Sequence, residues 1–298
     1  MGVNWNHVLA MEGFGFFDGP SRSFLDIGSS NLYGANALSV EDFLRRRSVK
    51  DDISALAKSL AERSVFSATT GGSNEVFFGE LIETLGAGYQ SVDIAEGYKT
   101  KILDLNFQPL PQEMTGAFDV VLNFGTTEHL INQMNAFAAI HDAAKTGAVI
   151  WHQLPNSGFL THGYFTYTGR FFFDLADANG YELMHIWLEG PAGPENPYEI
   201  MREFSGRFKA AKDILSLIGQ REQETRIDNA SIPVVSINVL YRKKSEAKFR
   251  PPVELMTSVG SLAEWRALGE NGAPPRRRGG DRYRIFDLFN KIRRRLKR

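Results

Sequence analysis

Between residues 23 and 188 the chain alternates short apolar runs with amphipathic stretches, and this alternation restricts the fold more than any other feature. Strand-like runs lie at Ser23–Ile27, Gln90–Ile94, Lys101–Leu103, Phe118–Phe124, Ala148–Gln153 and Tyr181–Leu188. Helical patterns fill Asn132–Lys145 and Thr168–Asn179, and another covers Pro197–Ile218. Strands separated by helices predict a mainly parallel sheet with helices on both faces. A seventh run, Ser231–Tyr241, carries Pro233 near its start, which suits an edge or antiparallel position. The first two runs are about sixty residues apart, more than a one-helix crossover needs. Three helices are predicted there: one capped by Ser39, one over Asp51–Arg63 with Ile53, Leu56 and Leu60 on one face, and one from Ser73 to Leu85, closed by Gly86. The excess reads as a helical insertion over about 35–88. Residues 1–22 are rich in Gly and aromatic residues, with a turn at Asp18-Gly-Pro20.

In an open parallel sheet the ligand lies at the carboxyl ends of the strands, so those ends carry the chemistry. The first strand runs Ser23-Phe-Leu-Asp-Ile-Gly-Ser-Ser-Asn31. Phosphate-binding turns of dinucleotide folds read G-x-G-x-x-G, but here the frame is Gly28-x-Ser30-x-x-Tyr33. Two of three glycines are missing, and the acid before the turn suits a ligand with a cationic end better than a pyrophosphate. The second strand ends at Asp93-Ile94, where a carboxylate can accept both hydroxyls of a vicinal diol. The third leads to Asp104-Leu105, an acid placed to accept from an exocyclic amine. The fourth ends at Asn123-Phe-Gly125 and continues Thr126-Thr-Glu-His129, and Lys145-Thr-Gly147 precedes the fifth.

Taken in order, these landmarks resemble the class I S-adenosylmethionine (SAM)-dependent methyltransferases of the small-molecule and sugar group. That group shows an L-D-x-G turn, an Asp at the second strand end, F-D-x-V, E-H and a Gly turn before strand five. This chain shows Phe24-Leu-Asp-Ile-Gly28, Val92-Asp93, Asp104-Leu105, Phe118-Asp-Val-Val121, Glu128-His129 and Lys145-Thr-Gly147. The segment His162–Tyr167 through Leu175–Glu182 also resembles the group's helix before strand six. The resemblance spans roughly residues 23–188. It implies an α/β, Rossmann-like, seven-stranded mainly parallel sheet with helices on both faces. It also implies SAM as cofactor. Gly28 and the amides of Ser29 and Ser30 would line its methionine end, and Asp26 would either orient that loop or accept from the amino group. Asp93 would take the ribose, Ile94 would lie against the adenine, and Asp104 with Leu105 would hold the adenine edge. Asn123, Phe124 and Gly125 would border the methionine moiety and the sulfonium. The turn departs from the usual G-x-G-x-G, reading Gly28-Ser-Ser30-Asn-Leu32, and the strand-five turn has one Gly. A binding or scaffold protein on the same fold, without turnover, is the second reading. A nicotinamide-dependent oxidoreductase, which shares the ribose acid, is the third.

His129 is the first candidate general base, since an imidazole takes a proton near neutral pH; otherwise Glu128-His129 caps the next helix. His162 is the second, in a Gly- and Tyr-rich loop, and His152 reads as packed within strand five. Some methyltransferases hold a divalent ion through E-x-x-E-H. Here Gly125 replaces the first carboxylate, which leaves two ligands, and no metal is expected.

Substrate and setting follow from composition. The chain has no cysteine, which excludes disulfides, iron-sulfur clusters and thiol nucleophiles. Asn123-Phe-Gly-Thr126 lacks the proline pair that goes with amino-methylation of DNA bases. The net charge of −1 hides eleven Lys/Arg and two Asp within Arg276–Arg298, so the remainder carries −10. An acidic body disfavours nucleic acid, leaving a small-molecule or glycan-type acceptor, with Tyr164–Tyr167 and Phe171–Phe173 lining its pocket or packing the core. We expect residues 1–245 to form the methyltransferase domain and 246–298 a linker with a basic tail. In the tail Ile285, Phe286, Leu288, Phe289, Ile292 and Leu296 recur at helical spacing. Such a helix suits an anionic membrane surface, docking on the acidic body or a subunit, or nucleic acid. With no secretory signal and no long apolar run in view, a cytoplasmic location is expected, peripheral at the membrane if the tail docks there.

Overall fold

The computed structural model of the protein describes residues 2–18, 22–49, 52–64, 75–159, 162–190 and 235–253. The elements are β1 (Gly2–Asn4), α1 (Trp5–Gly13), β2 (Ser23–Ile27), β3 (Asn31–Tyr33), α2 (Ala37–Arg46), α3 (Ile53–Arg63), α4 (Phe78–Thr84), β4 (Gly88–Asp93), β5 (Thr100–Ile102), β6 (Phe118–Phe124), α5 (Gln133–Ala143), β7 (Ala144–Ser157), α6 (Gly169–Asn179), β8 (Glu182–Glu189) and β9 (Val235–Arg242). Seven strands form one sheet in the order β5-β4-β2-β6-β7-β9-β8. All run parallel except β9, which pairs antiparallel with both β7 and β8. The expected sheet is therefore present, and its last strand is reversed but internal rather than at an edge.

Strand alternation divides the core between the two faces. Phe24 of β2, Val120, Leu122 and Phe124 of β6, and Trp151 of β7 join α1, α2, α3 and α4 on one face. Leu25, Ile27, Val121, Ile150 and Leu154 join α5 and α6 on the other. Trp151 is the hub of the first face. It is fully buried, its ring edge meets Phe124, Phe14, Phe16 and His7, and its Nε1 donates to Asn238 Oδ1 at 3.1 Å.

Several local expectations are corrected. The cap of α2 is Asn36, whose side chain accepts from the Ser39 amide at 2.9 Å. Ser39 lies one turn inside, its hydroxyl accepting from Trp5 Nε1. Helix α3 starts after Asp52, which caps Ala55 N–H; α4 runs only over Phe78–Thr84, though Gly86 closes it as expected, in the left-handed region (φ 75°). Lys145-Thr-Gly147 is not a turn after a helix but an irregularity inside β7, with Gly147 at φ 89°. There Lys145 Nζ reaches both oxygens of Asp119 at 2.9 Å, at the amino ends of the strands and away from the expected site. Within the Gly- and aromatic-rich first segment, β1 pairs in parallel with β3, and α1 packs under the sheet. Residues just after 245 also bond to the sheet-and-helix body. His141 hydrogen-bonds the Ala247 carbonyl, and Arg250 exchanges two hydrogen bonds with Asn179. The helix expected at Pro197–Ile218, Pro233, most of the 246–298 segment and the basic tail lie outside the described residues.

Removal of the hub tests this core. Trp151→Ala should lower stability by about 3–5 kcal/mol, the usual cost of emptying a buried aromatic site. Chemical denaturation measures this directly, and a loss below about 1 kcal/mol would show that the aromatic face is not cooperative with the sheet.

Candidate active site at the carboxyl ends of the strands

The turn after β2 is built around Asp26. Its carboxyl is fully buried and accepts from Ser30 N–H at 2.9 Å, Ser30 Oγ at 3.2 Å and Tyr89 OH at 2.9 Å. Burial is the dominant influence on this carboxyl, and with some repulsion from Asp93 it outweighs the hydrogen bonds and raises the pKa to about 7. Asp26 thus ties the turn to β4 from beneath. Ser30 is fully buried, with its amide and hydroxyl both directed at Asp26. Gly28 takes φ 93°, which favours glycine, and its N–H donates to the Val92 carbonyl at 2.8 Å.

Ser29 is the turn residue that reaches the neighbouring strand. Its N–H donates to Asp93 Oδ2 at 3.0 Å, and its hydroxyl accepts from Tyr98 N–H at 3.1 Å. Asp93 Oδ1 accepts from Ala95 N–H at 3.1 Å. Ile94, between them in sequence, is 68% exposed. Asp104 is half-buried, with Oδ1 accepting from Asn106 N–H at 2.8 Å. Leu105 is buried in the core, so its side chain does not face the rim.

Asn123 is likewise buried, its amide group donating to Thr127 Oγ1 at 2.9 Å and lying 3.0 Å from His152 Nδ1. Phe124 packs between His7 and Trp151, so only its backbone is near the strand end. Gly125 is half-buried at φ 74°. His152 is packed as expected, and burial lowers its pKa to about 3, which keeps it neutral.

Beyond β6 the chain forms a second cluster. Glu128 has no exposed surface, and neither carboxylate oxygen has a hydrogen-bond partner among the described residues. Burial raises its pKa to about 7. His162 Nε2 lies 3.4 Å and His129 Nε2 3.9 Å from Glu128 Oε1, and the two imidazoles are 5.0 Å apart. Their side chains keep 39% (His129) and 44% (His162) of their surface exposed. Burial, aided by His162, lowers the His129 pKa below its ordinary value. The fold therefore joins all three residues proposed for catalysis, although the sequence separates His162 from Glu128.

Sequence reasoning did not find what holds this cluster together. The Glu128 carbonyl accepts from Tyr164 N–H at 2.8 Å and Phe165 N–H at 3.2 Å, fastening the loop after β7 to the turn after β6. Gly163 lies against Glu128, where a Cβ would come within 2.8 Å of Cγ and 3.0 Å of the carbonyl oxygen. Tyr167 OH donates to Gln133 Oε1 at 2.7 Å and also reaches Thr127 Oγ1 at 3.2 Å, extending the Asn123 network. The glycine after His162 was visible in the sequence, but its close approach was not.

The strand order, parallel but for an internal reversed β9, is that of a Rossmann-like fold. No family model and no curated protein matches the sequence. Among solved structures, the chain is similar to the 1,6-didemethyltoxoflavin N1-methyltransferase of Burkholderia thailandensis, which holds 1,6-didemethyltoxoflavin and S-adenosylhomocysteine. The identity is 10% over 80% of this chain and 77% of that one, with a TM-score of 0.39. It is also similar to a SAM-dependent methyltransferase from Archaeoglobus fulgidus, at 12% identity over 80% and 94% of the two chains and a TM-score of 0.38. A third is the phosphoethanolamine N-methyltransferase 2 of Haemonchus contortus, at 14% identity and a TM-score of 0.38 over 81% of this chain. This chain spans 53% of that protein.

Two substitutions test the geometry. Unfolded, the Asp26 carboxyl ionises near its ordinary 3.8; folded, it keeps its proton up to about 7. The folded state therefore binds more protons across that window, and this group's contribution makes stability fall as pH rises from about 4 to about 7, by up to about 4 kcal/mol. Asp26→Asn should remove that contribution, so the difference between variant and parent stability should change over pH 4–7 and stay level above it. Parallel pH profiles would refute the assignment. Gly163→Ala should cost about 1–3 kcal/mol by forcing the loop off Glu128, read as a lower denaturation midpoint; an unchanged midpoint would show that the loop yields freely.

Proposed function

We propose that the chain is a SAM-dependent methyltransferase acting on an oxygen or nitrogen of a small-molecule or glycan-type acceptor. The observation that carries this reading is the join between the turn after β2 and the end of β4. Ser29 N–H and Ala95 N–H each occupy one oxygen of Asp93, which leaves each oxygen able to accept again. That is the requirement for a ribose diol, and the exposed Ile94 beside it offers apolar surface to a base. Asp104, on the next strand end, keeps Oδ2 for an exocyclic amine. These residues fit an adenosine ligand, and the missing glycines remove the cradle that a pyrophosphate would require.

SAM supplies a methyl group already activated on sulfonium, so the protein's remaining tasks are to align an acceptor and take its proton. In this reading Gly28, Ser29 and Gly125 border the reactive end through backbone, while Asp26, Ser30, Asn123 and Phe124 support it from within. Glu128, His129 and His162 serve the acceptor side, where one buried carboxylate and two part-exposed imidazoles gather at the rim. No helix among the described residues is long and apolar enough to cross a membrane. We place the protein in the cytoplasm, with the basic segment 276–298 as a contact to anionic membrane surface.

Isothermal titration tests the reading. SAM should bind the full chain, and Asp93→Ala should weaken binding at least tenfold, about 1.4 kcal/mol, while the half-buried position leaves the fold intact. Absence of SAM binding at millimolar ligand would overturn the proposal. Tight NADH binding in its place would make the protein a nicotinamide enzyme.

A further inference from the structure

The cluster beyond β6 holds a buried carboxylate that accepts no hydrogen bond from any described residue. Glu128 has no exposed surface, and both of its oxygens lack partners among the described residues. Buried polar groups are normally satisfied, and one that is not calls for a specific explanation. One donor atom from each of Glu128, His129 and His162 lies within 4.8 Å of the other two. From the sequence only Glu128 and His129 could be counted as ligands; the loop after β7 brings the third.

We propose that Glu128, His129 and His162 bind a divalent transition-metal ion. Bonds of about 2.0–2.2 Å at tetrahedral angles hold ligand atoms roughly 3.3–3.6 Å apart. Glu128 Oε1 stands 3.4 Å from His162 Nε2 and 3.9 Å from His129 Nε2. Both rings retain exposed surface, so a small rotation of His129 closes the set. Two imidazoles and one carboxylate suit Zn²⁺, Co²⁺, Fe²⁺ or Mn²⁺ rather than Mg²⁺ or Ca²⁺, which take oxygen ligands. Gly163 and the two N–H bonds onto the Glu128 carbonyl fix the loop that carries His162, a preorganisation that three surface residues would lack. The carboxylate lies inside and the imidazoles at the rim, so the ion's remaining positions open outward. There the ion would bind a hydroxyl or carboxylate oxygen of the acceptor. This last clause rests on the methyltransferase reading, whereas the metal site itself does not.

The test uses the full chain, stripped with a chelator and transferred to chelator-free buffer, then titrated with Co²⁺ and separately with Zn²⁺. Calorimetry should show one ion per chain, and Co²⁺ should develop visible ligand-field bands. Glu128→Gln keeps the shape of the buried side chain and should weaken uptake at least tenfold. The double variant His129→Ala, His162→Ala alters only part-exposed positions and should abolish it, with circular dichroism confirming that both variants are folded. Cobalt uptake of this kind by a chain that fails to bind SAM still supports the site. A folded parent chain that binds neither ion, or a double variant that binds Co²⁺ as the parent does, would overturn the proposal.

Discussion

A carboxyl group with no exposed surface governs the centre of this molecule. Asp26 sits at the point where the middle of the sheet gives way to the turn, and it collects three donors from two elements. Two of those donors belong to Ser30, four residues on, so the bonds set the curvature of the turn. The third, from Tyr89, ties the turn to β4. With the curvature set, Ser29 N–H points at Asp93 and closes the gap between neighbouring strand ends. The group that accomplishes this is held near neutrality by its own burial, so it works as a hydrogen-bonding node more than as a charge. A charge there would carry a large desolvation penalty, and no cation among the described residues is paired with it to offset that.

The architecture was legible because apolar runs of strand length recur between amphipathic helices, and the central ones are buried along most of their length. Phe118–Phe124 was read to the residue, and the alternation of Phe24 and Leu25, or of Val120 and Val121, sorts the two faces as the pattern implies. Three kinds of feature were not legible. The β1–β3 ribbon is only three residues per strand, too short for any periodicity to register. The direction of a side chain within a turn is set by tertiary partners: Asp26 and Ser30 face inward because Tyr89 waits beneath them, and nothing nearby in the sequence announces Tyr89. Phe124 and Leu105 belong to apolar strand ends, and whether such residues face a ligand or the core depends on what lies opposite. For Phe124 that is Trp151 and His7, which come from distant segments.

The two halves of the site differ in how they treat polar groups. Around Ser29, Asp93, Ser91 and Tyr98 every inward-facing oxygen and amide is matched, so that half is preformed and stiff. Around Glu128 the matching stops, although the backbone there is fastened as firmly. A rigid frame that holds an unmatched group has a single geometry in which to receive a partner. Natural proteins accept local conflict of this sort where it serves a purpose beyond stability.

The ribbon of β1 and β3 gives the amino-terminal segment an unexpected reach. Asn31, which Gly2 faces in that ribbon, follows Ser30 directly in the chain. Only one peptide bond therefore separates the strand that receives residues 2–4 from the turn that Asp26 shapes. Residues 2–4 and the loop beside Asp93 are thus joined through one short strand, so a change in how β1 pairs with β3 falls next to that loop.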